Sequence, residues 1–402
     1  MKIKLLSLLI LVGVSFSCIN EFELTGLTYD KLLVVDGILT DELKQHHVRL
    51  TYTSPINSDD ENSSPPVSGA QVSILDSDGN IYSYIETSNG NYVSEIAFRA
   101  MPGKSYTLQI STIDGNEYIS TETELISSPS IGSIYPELTF KLLTDLNRTA
   151  PGVQFYIDSK PENEEQIYFR YEWSETFKVI TPFKSQFDYN PQTGDYFLRE
   201  NKIDVCYQTN YSDEIILGNT NSNANNQLTE VPVNFVALGP NRNTSDYLRN
   251  RYSIEVTQYA ISADDYNYYQ RIKKLDEDTG TLFDQQLGSV RGNIKSLSDE
   301  EELVLGNFEV AGVSRKRAFF DPEDYGENFE VPDFRYFCGI DEIMTVSNDS
   351  LSYYMDQGFY RIISVVSIPI NDEEIRLSSR GCSDCTWYAD SEKPEFWIDE
   401  AE

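Results

Sequence analysis

Five cysteines, two histidines and 65 carboxylates are the side chains of this 402-residue chain with most scope for chemistry. Cys18 is the first of them. Lys2 and Lys4 precede an apolar run from Leu5 to Phe16, and Ser15-Phe16-Ser17-Cys18 reads as a loose lipobox. Cleavage before Cys18 would let its sulfur carry a diacylglyceryl group and tether the chain to a membrane. The run itself falls short of the ~20 apolar residues that a span requires. Cys206, Cys338, Cys382 and Cys385 remain, an even set that outside the cytoplasm predicts two disulfides with three possible pairings. Cys382 and Cys385 lie in Arg-Gly-Cys-Ser-Asp-Cys-Thr-Trp. A zinc site would want a second ligand pair at close spacing, and a redox centre would want this pair on a helix after a strand. Neither context is present, so structural disulfides are expected, with the pairing open.

The other reactive types are sparse or unpatterned. His46 and His47 are adjacent, and on a strand neighbours point to opposite faces, so each is expected to be an ordinary strand residue. The metalloprotease, nucleophile-elbow, phosphate-loop and dinucleotide signatures are missing. A glycosidase needs only two carboxylates, but no pair stands out. Asp76-Ser77-Asp78-Gly79 begins like a calcium loop and lacks its distal Glu, which favours a turn. No catalytic residue, metal or cofactor is therefore expected. Arg315, Lys316 and Arg317 form a basic triplet that could contact an anionic partner, although pairing with the chain's own carboxylates is the expected reading.

The charge balance narrows the partners. With 31 basic residues against the 65 acidic ones, the net charge of −34 repels phosphate backbones and excludes nucleic acid as a partner. It also repels anionic head groups, so attachment to a membrane would come from the lipid on Cys18.

Hydrophobic residues at 40% and aromatics at 12% are enough for packed cores. The chain reads as mainly β. Residues 1–17 are a lipoprotein signal peptide and 18–30 a tether. An immunoglobulin-like β-sandwich follows over 31–126, then a larger β-rich, sandwich-like domain over 133–402. Alternation marks 46–53, where Val48, Leu50 and Tyr52 share a face, and 165–180, where Ile167, Phe169, Tyr171 and Trp173 do. On the opposite face of that second strand, Arg170 and Glu172 could pair. Asp78-Gly79, Asn89-Gly90 and Asp114-Gly115 predict type I′ hairpins. One helix is expected over 262–278, with Ser262 as its cap and Asp265 at the third position. Tyr268, Ile272 and Leu275 would form its apolar face, and Gly280 would end it. Residues 217–227 read as loop, and the aromatic tail is expected to pack back onto the domain.

Several stretches together resemble a family of uncharacterised lipoproteins of Gram-negative bacteria rich in surface lipoproteins: 33–42, 67–80, 168–176, 251–262, 279–294, 314–320 and 382–397. The resemblance covers nearly all of the mature chain, and the family carries a domain-of-unknown-function label. Its members are similar in context to lipoproteins that accompany TonB-dependent outer-membrane transporters. The resemblance implies an outer-membrane lipoprotein, anchored at Cys18 and facing the cell surface, with the periplasmic face as the alternative. Surface export in such bacteria tends to go with an acidic pair soon after the acylated cysteine, whereas here Phe22 separates Glu21 from Glu23. The implied role is non-enzymatic: an accessory partner of a TonB-dependent transporter that binds, caps or presents cargo. An envelope assembly or export factor is the alternative, and a glycan-active enzyme comes third.

Overall fold

Alternating residues set the first strands. In β1 (Leu33–Thr40) and β2 (His47–Tyr52) the paired Val35 and Leu50 are buried, while Asp36 and Arg49, the next pair, face out. The computed structural model describes residues 31–54, 64–143, 148–159, 167–220, 228–238, 244, 246–278, 290–368 and 372–399. The signal peptide, the tether, Cys18 and Gly280 lie outside the described residues. The chain is mainly β, as its composition and turns predict. Strands β3 (Gln71–Asp76), β4 (Ile81–Ser88), β5 (Asn91–Ser94), β6 (Ser105–Ser111), β7 (Glu117–Ser120) and β8 (Thr123–Glu124) continue the first unit in antiparallel pairs.

The turns differ from type I′. A type I′ turn needs a positive φ at both central residues, but in all three only the glycine has one. The Gly79 N–H donates to the Asp76 carbonyl at 2.9 Å, and the Asp76 N–H donates to the Asn80 carbonyl at 3.0 Å. Thr112, Gly115 and Asn116 repeat the arrangement. One left-handed glycine closes each of these two turns, and the preceding Asp keeps an ordinary backbone. The Asp76 carboxylate accepts from Asn80 and Lys104, so this stretch is a turn fastened by its own aspartate.

The second unit contributes β9 (Ile131–Leu143), β10 (Arg148–Ser159), β11 (Tyr168–Ile180), β12 (Phe187–Tyr189), β13 (Tyr196–Leu198), β14 (Val205–Tyr211), β15 (Ile216–Asn219), β16 (Leu228–Ala237) and β17 (Tyr252–Ile261). Strand β15 occupies 217–219, which read as loop, because Ile216 is buried and Leu217 packs against the helix-side core. Helix α1 (Ala263–Asp278) starts where expected. The Ser262 hydroxyl accepts the Asp265 N–H at 3.1 Å, and the helix buries Tyr266 and Tyr268. Then come β18 (Ile294–Ser296), β19 (Leu305–Phe320), β20 (Met344–Val346), β21 (Tyr360–Ile368) and β22 (Asp372–Ser379).

Strand β19 joins the units. Its first half pairs with β1 in parallel, from Val34↔Leu305 to Thr40↔Ala311. Its second half pairs with β17 in antiparallel, from Ala260↔Gly312 to Tyr252↔Phe320. One sheet therefore runs β14-β11-β17-β19-β1-β2-β5-β4-β3-β6-β7-β18. Its far end curls back to β19, where Arg291 bridges Leu305. The Asn293 amide completes the closure as a strand would. Its Nδ2 donates to the Phe308 carbonyl at 2.7 Å, and its Oδ1 accepts the Phe308 N–H at 2.9 Å. Ile294, Val304, Phe308 and Val310 thus share the core of Leu33, Val35 and Leu50. Residues within 290–311, which follow the boundary expected at 126–133, thus pair with β1 and join the core of the first unit. Two smaller sheets, β16-β10-β9 and β13-β12-β21-β22-β20, complete the β structure of the described residues.

Candidate functional site: an open apolar groove

Leu138, Phe140 and Leu142 alternate with Thr139 and Lys141, so the outer part of β9 has one apolar face. Register with β10 sets Phe140 opposite Pro151 and Thr139 opposite Gly152. Gly152 lacks the Cβ that would collide with the Phe235 ring, so Phe235 covers that side of the ribbon, with the Lys141 ammonium 5.4 Å from its ring centre. The opposite face stays open. Leu138, Phe140 and Leu142 are 37%, 73% and 56% exposed.

Segment 328–339 faces this ribbon across a groove of about 1280 Å³. Three ties hold it. The Arg249 guanidinium donates to the Pro332 carbonyl, Arg335 forms an ion pair with the fully buried Asp246, and Cys338 is bonded to Cys382. Burial pushes the Asp246 carboxyl up, and Arg335 pulls against that shift. With its backbone fixed, the segment holds Val331 and Phe337 largely exposed, and Glu330 and Asp333 also line the groove. Singly exposed apolar residues are ordinary, but a contiguous set in a groove marks a binding surface. This arrangement can bind an apolar, extended ligand. In the sequence, the Leu-x-Phe-x-Leu alternation of 138–142 is the local signal for this strand, and the Gly-, Ser- and Pro-containing stretch before it hides the rest.

The buried charges serve structure. Arg170 places Nε and Nη2 3.0 Å from the two Glu309 oxygens and lies on the Tyr259 ring at 4.3 Å. Its Nη1 reaches Glu172, the partner expected along the strand. Beside them Asp265 accepts from Ser262 and Asn307, each at 2.6 Å. Burial pushes Asp265 up to about 6, against those hydrogen bonds. Glu175, also buried and pushed up by burial, accepts from Asn210, Asn234 and Tyr252. Each carboxylate already has internal donors, which suits a joint between elements rather than a reacting group.

The remaining sequence candidates find their places. Cys206 is bonded to Cys385 and Cys338 to Cys382, so the two cysteines of the Cys-Ser-Asp-Cys stretch reach separate partners. Asp384 between them accepts from Arg361 and Arg380 at 2.9 Å. Burial would raise this carboxyl, but Thr386 and the two guanidiniums outweigh it and hold it below the ordinary range. The basic triplet is engaged within the chain. Arg315 pairs with Glu42, the Lys316 ammonium donates to the Gly132 carbonyl, and Arg317 pairs with Glu255 and stacks on Phe396. These ties are of the kind expected from the sequence, since β19 runs beside Glu42 and Glu255. His46 is buried, with Nε2 3.0 Å from the Phe98 carbonyl, and burial brings its pKa down to about 4. His47 is exposed on the next position. Among the described residues no group of three or more His, Cys, Asp or Glu is arranged to hold a metal.

A family model described as a domain of unknown function, DUF4249, matches residues 19–317. No curated protein matches the chain. Among solved structures it is similar to a DUF4785 family protein from Legionella pneumophila, at 10% identity and a TM-score of 0.18. That match covers 57% of this chain and about half, 52%, of the other.

Proposed function

We propose, for a chain that belongs to the DUF4249 family of unknown function, a non-enzymatic role as accessory partner of a TonB-dependent outer-membrane transporter. The chain would be lipid-anchored at Cys18 in the outer membrane and face the cell surface. One observation carries the binding part of this reading: the open groove between the β9–β10 ribbon and segment 328–339. Two disulfides support a location outside the reducing cytoplasm. The transporter itself is inferred from the company kept by lipoproteins of this kind.

The glycosidase reading fits the groove less well. Such an enzyme needs two carboxylates flanking the scissile bond. Here Glu330 and Asp333 share one short segment on one wall, and the facing wall offers Leu138, Phe140 and Pro151. The test is affinity purification of the tagged chain from its own envelope in mild detergent, with Cys18→Ala as control. A near-stoichiometric TonB-dependent transporter, lost in the control, is the expected result. Recovery of assembly machinery in its place would support the alternative role in export, and recovery of no partner would sink both.

A further inference from the structure

We propose that β9 accepts an additional strand: an extended segment of a partner protein, apolar at alternate positions and flanked by basic residues, pairs with its free edge. This deepens the reading above and rests on it in one respect, that the groove is a binding surface. In the sheet order β16-β10-β9, the outer side of β9 pairs with no strand among the described residues. Such an edge presents a row of backbone donors and acceptors, which proteins usually blunt with proline, lysine or a covering segment. In β9 the proline is Pro136, before the outer stretch, and Lys141 is drawn to the Phe235 ring on the covered face. Among the described residues, no backbone hydrogen bond from outside the ribbon reaches the edge from Glu137 to Leu143.

The side chains next to that edge suit strand addition. Leu138, Phe140 and Leu142 repeat every second residue, the period at which an incoming strand would place its own apolar side chains over the groove. Phe337 stands across from them, 73% exposed. The anionic residues at the groove are Glu330 and Asp333, beside the neutral Asn328 and Tyr336, and the one arginine in its lining, Arg249, is turned to the Pro332 carbonyl. With a net charge of −34, the surface favours a basic occupant and opposes a second copy of the same chain.

The experiment pans a randomised decapeptide library, displayed on phage, against the full chain in detergent, and then measures synthetic copies of the recovered peptides by fluorescence anisotropy. The expected peptides carry a net positive charge and an apolar residue at every second position. Phe140→Ala and Phe337→Ala should each weaken them about tenfold, with unchanged thermal unfolding because both rings are exposed. N-methylation of alternate peptide nitrogens should abolish binding, and hydrogen exchange over 137–143 should slow when the unmodified peptide is bound. Recovery of no peptide, of acidic peptides, or of peptides indifferent to N-methylation would overturn strand addition. So would a dimer of the chain that Phe140→Ala disperses, since the edge would then belong to a second copy. Recovery of a transporter from the envelope with an unresponsive β9 would sink this inference alone. Peptide binding with no transporter recovered would sink the accessory role alone.

Discussion

Arg170 shows what a buried charge does in this fold. Its guanidinium meets both oxygens of Glu309, which is 1% exposed, and so fastens β11 to the strand that both units share. Removing one partner of such a pair leaves the other buried and uncompensated, at a cost of about 3–5 kcal/mol. Arg170→Ala should therefore lose roughly that much in urea unfolding. Arg170→Met combined with Glu309→Gln should recover most of it. A single-variant loss below about 1 kcal/mol would mean that the pair is solvated and contributes little.

His46 gives the fold a pH dependence whose sign follows from its burial. Burial holds its pKa near 4 in the folded chain, against about 6.5 when unfolded. The unfolded state thus takes up the proton first. The stability this contributes is complete above pH 6.5 and is lost as the pH falls from 6.5 towards 4. Thermal unfolding of the parent chain and of His46→Leu across this range should show a shallower slope in the variant. Equal slopes would contradict the assignment.

At the scale of elements, β19 is the part least legible in the sequence. Its residues read as strand, but nothing local shows that 305–311 pairs with 34–40 and 312–320 with 252–260. Pairing across some 270 residues of chain depends on tertiary fit rather than pattern. By contrast, alternation revealed β2 and β11, and the Ser262–Asp265 cap revealed α1, because these signals are local. Disulfide pairing belongs with β19, since four cysteines allow three connectivities and spacing does not choose among them. The groove lies between these cases, because the alternation in 138–142 was visible while its open face depends on Phe235 covering the other side.

Glycine tests the closure of the first unit. Gly306 has φ +87°, and a Cβ there would lie 1.8 Å from the Val35 carbonyl oxygen. Gly79 has the same φ with nothing within 4 Å of that position. Gly79→Ala should cost about 1–2 kcal/mol, the penalty of left-handed backbone alone. Gly306→Ala should cost about 3 kcal/mol or more, because β1 and β19 must also separate. Equal shifts in the denaturation midpoints would show that the two strands part easily.

For the molecule as a whole, the disulfides fasten what the sheets leave loose. Cys206–Cys385 spans 179 residues and ties β14 to the C-terminal segment, while Cys338–Cys382 spans 44 and fixes the groove wall. Opening either should lower stability by about 2–5 kcal/mol, seen as an earlier urea midpoint for Cys206→Ser/Cys385→Ser or for Cys338→Ser/Cys382→Ser. Around this frame the surface is strongly acidic, and the apolar groove interrupts it. The most direct measurement of partner binding there places a photocrosslinking amino acid at Phe140 in cells, with Ile81, exposed on β4 of the other unit, as the comparison position. A crosslink to a TonB-dependent transporter from residue 140 and none from residue 81 is the predicted result. Crosslinks from residue 81 alone, or equally from both, would contradict the groove as the site of contact.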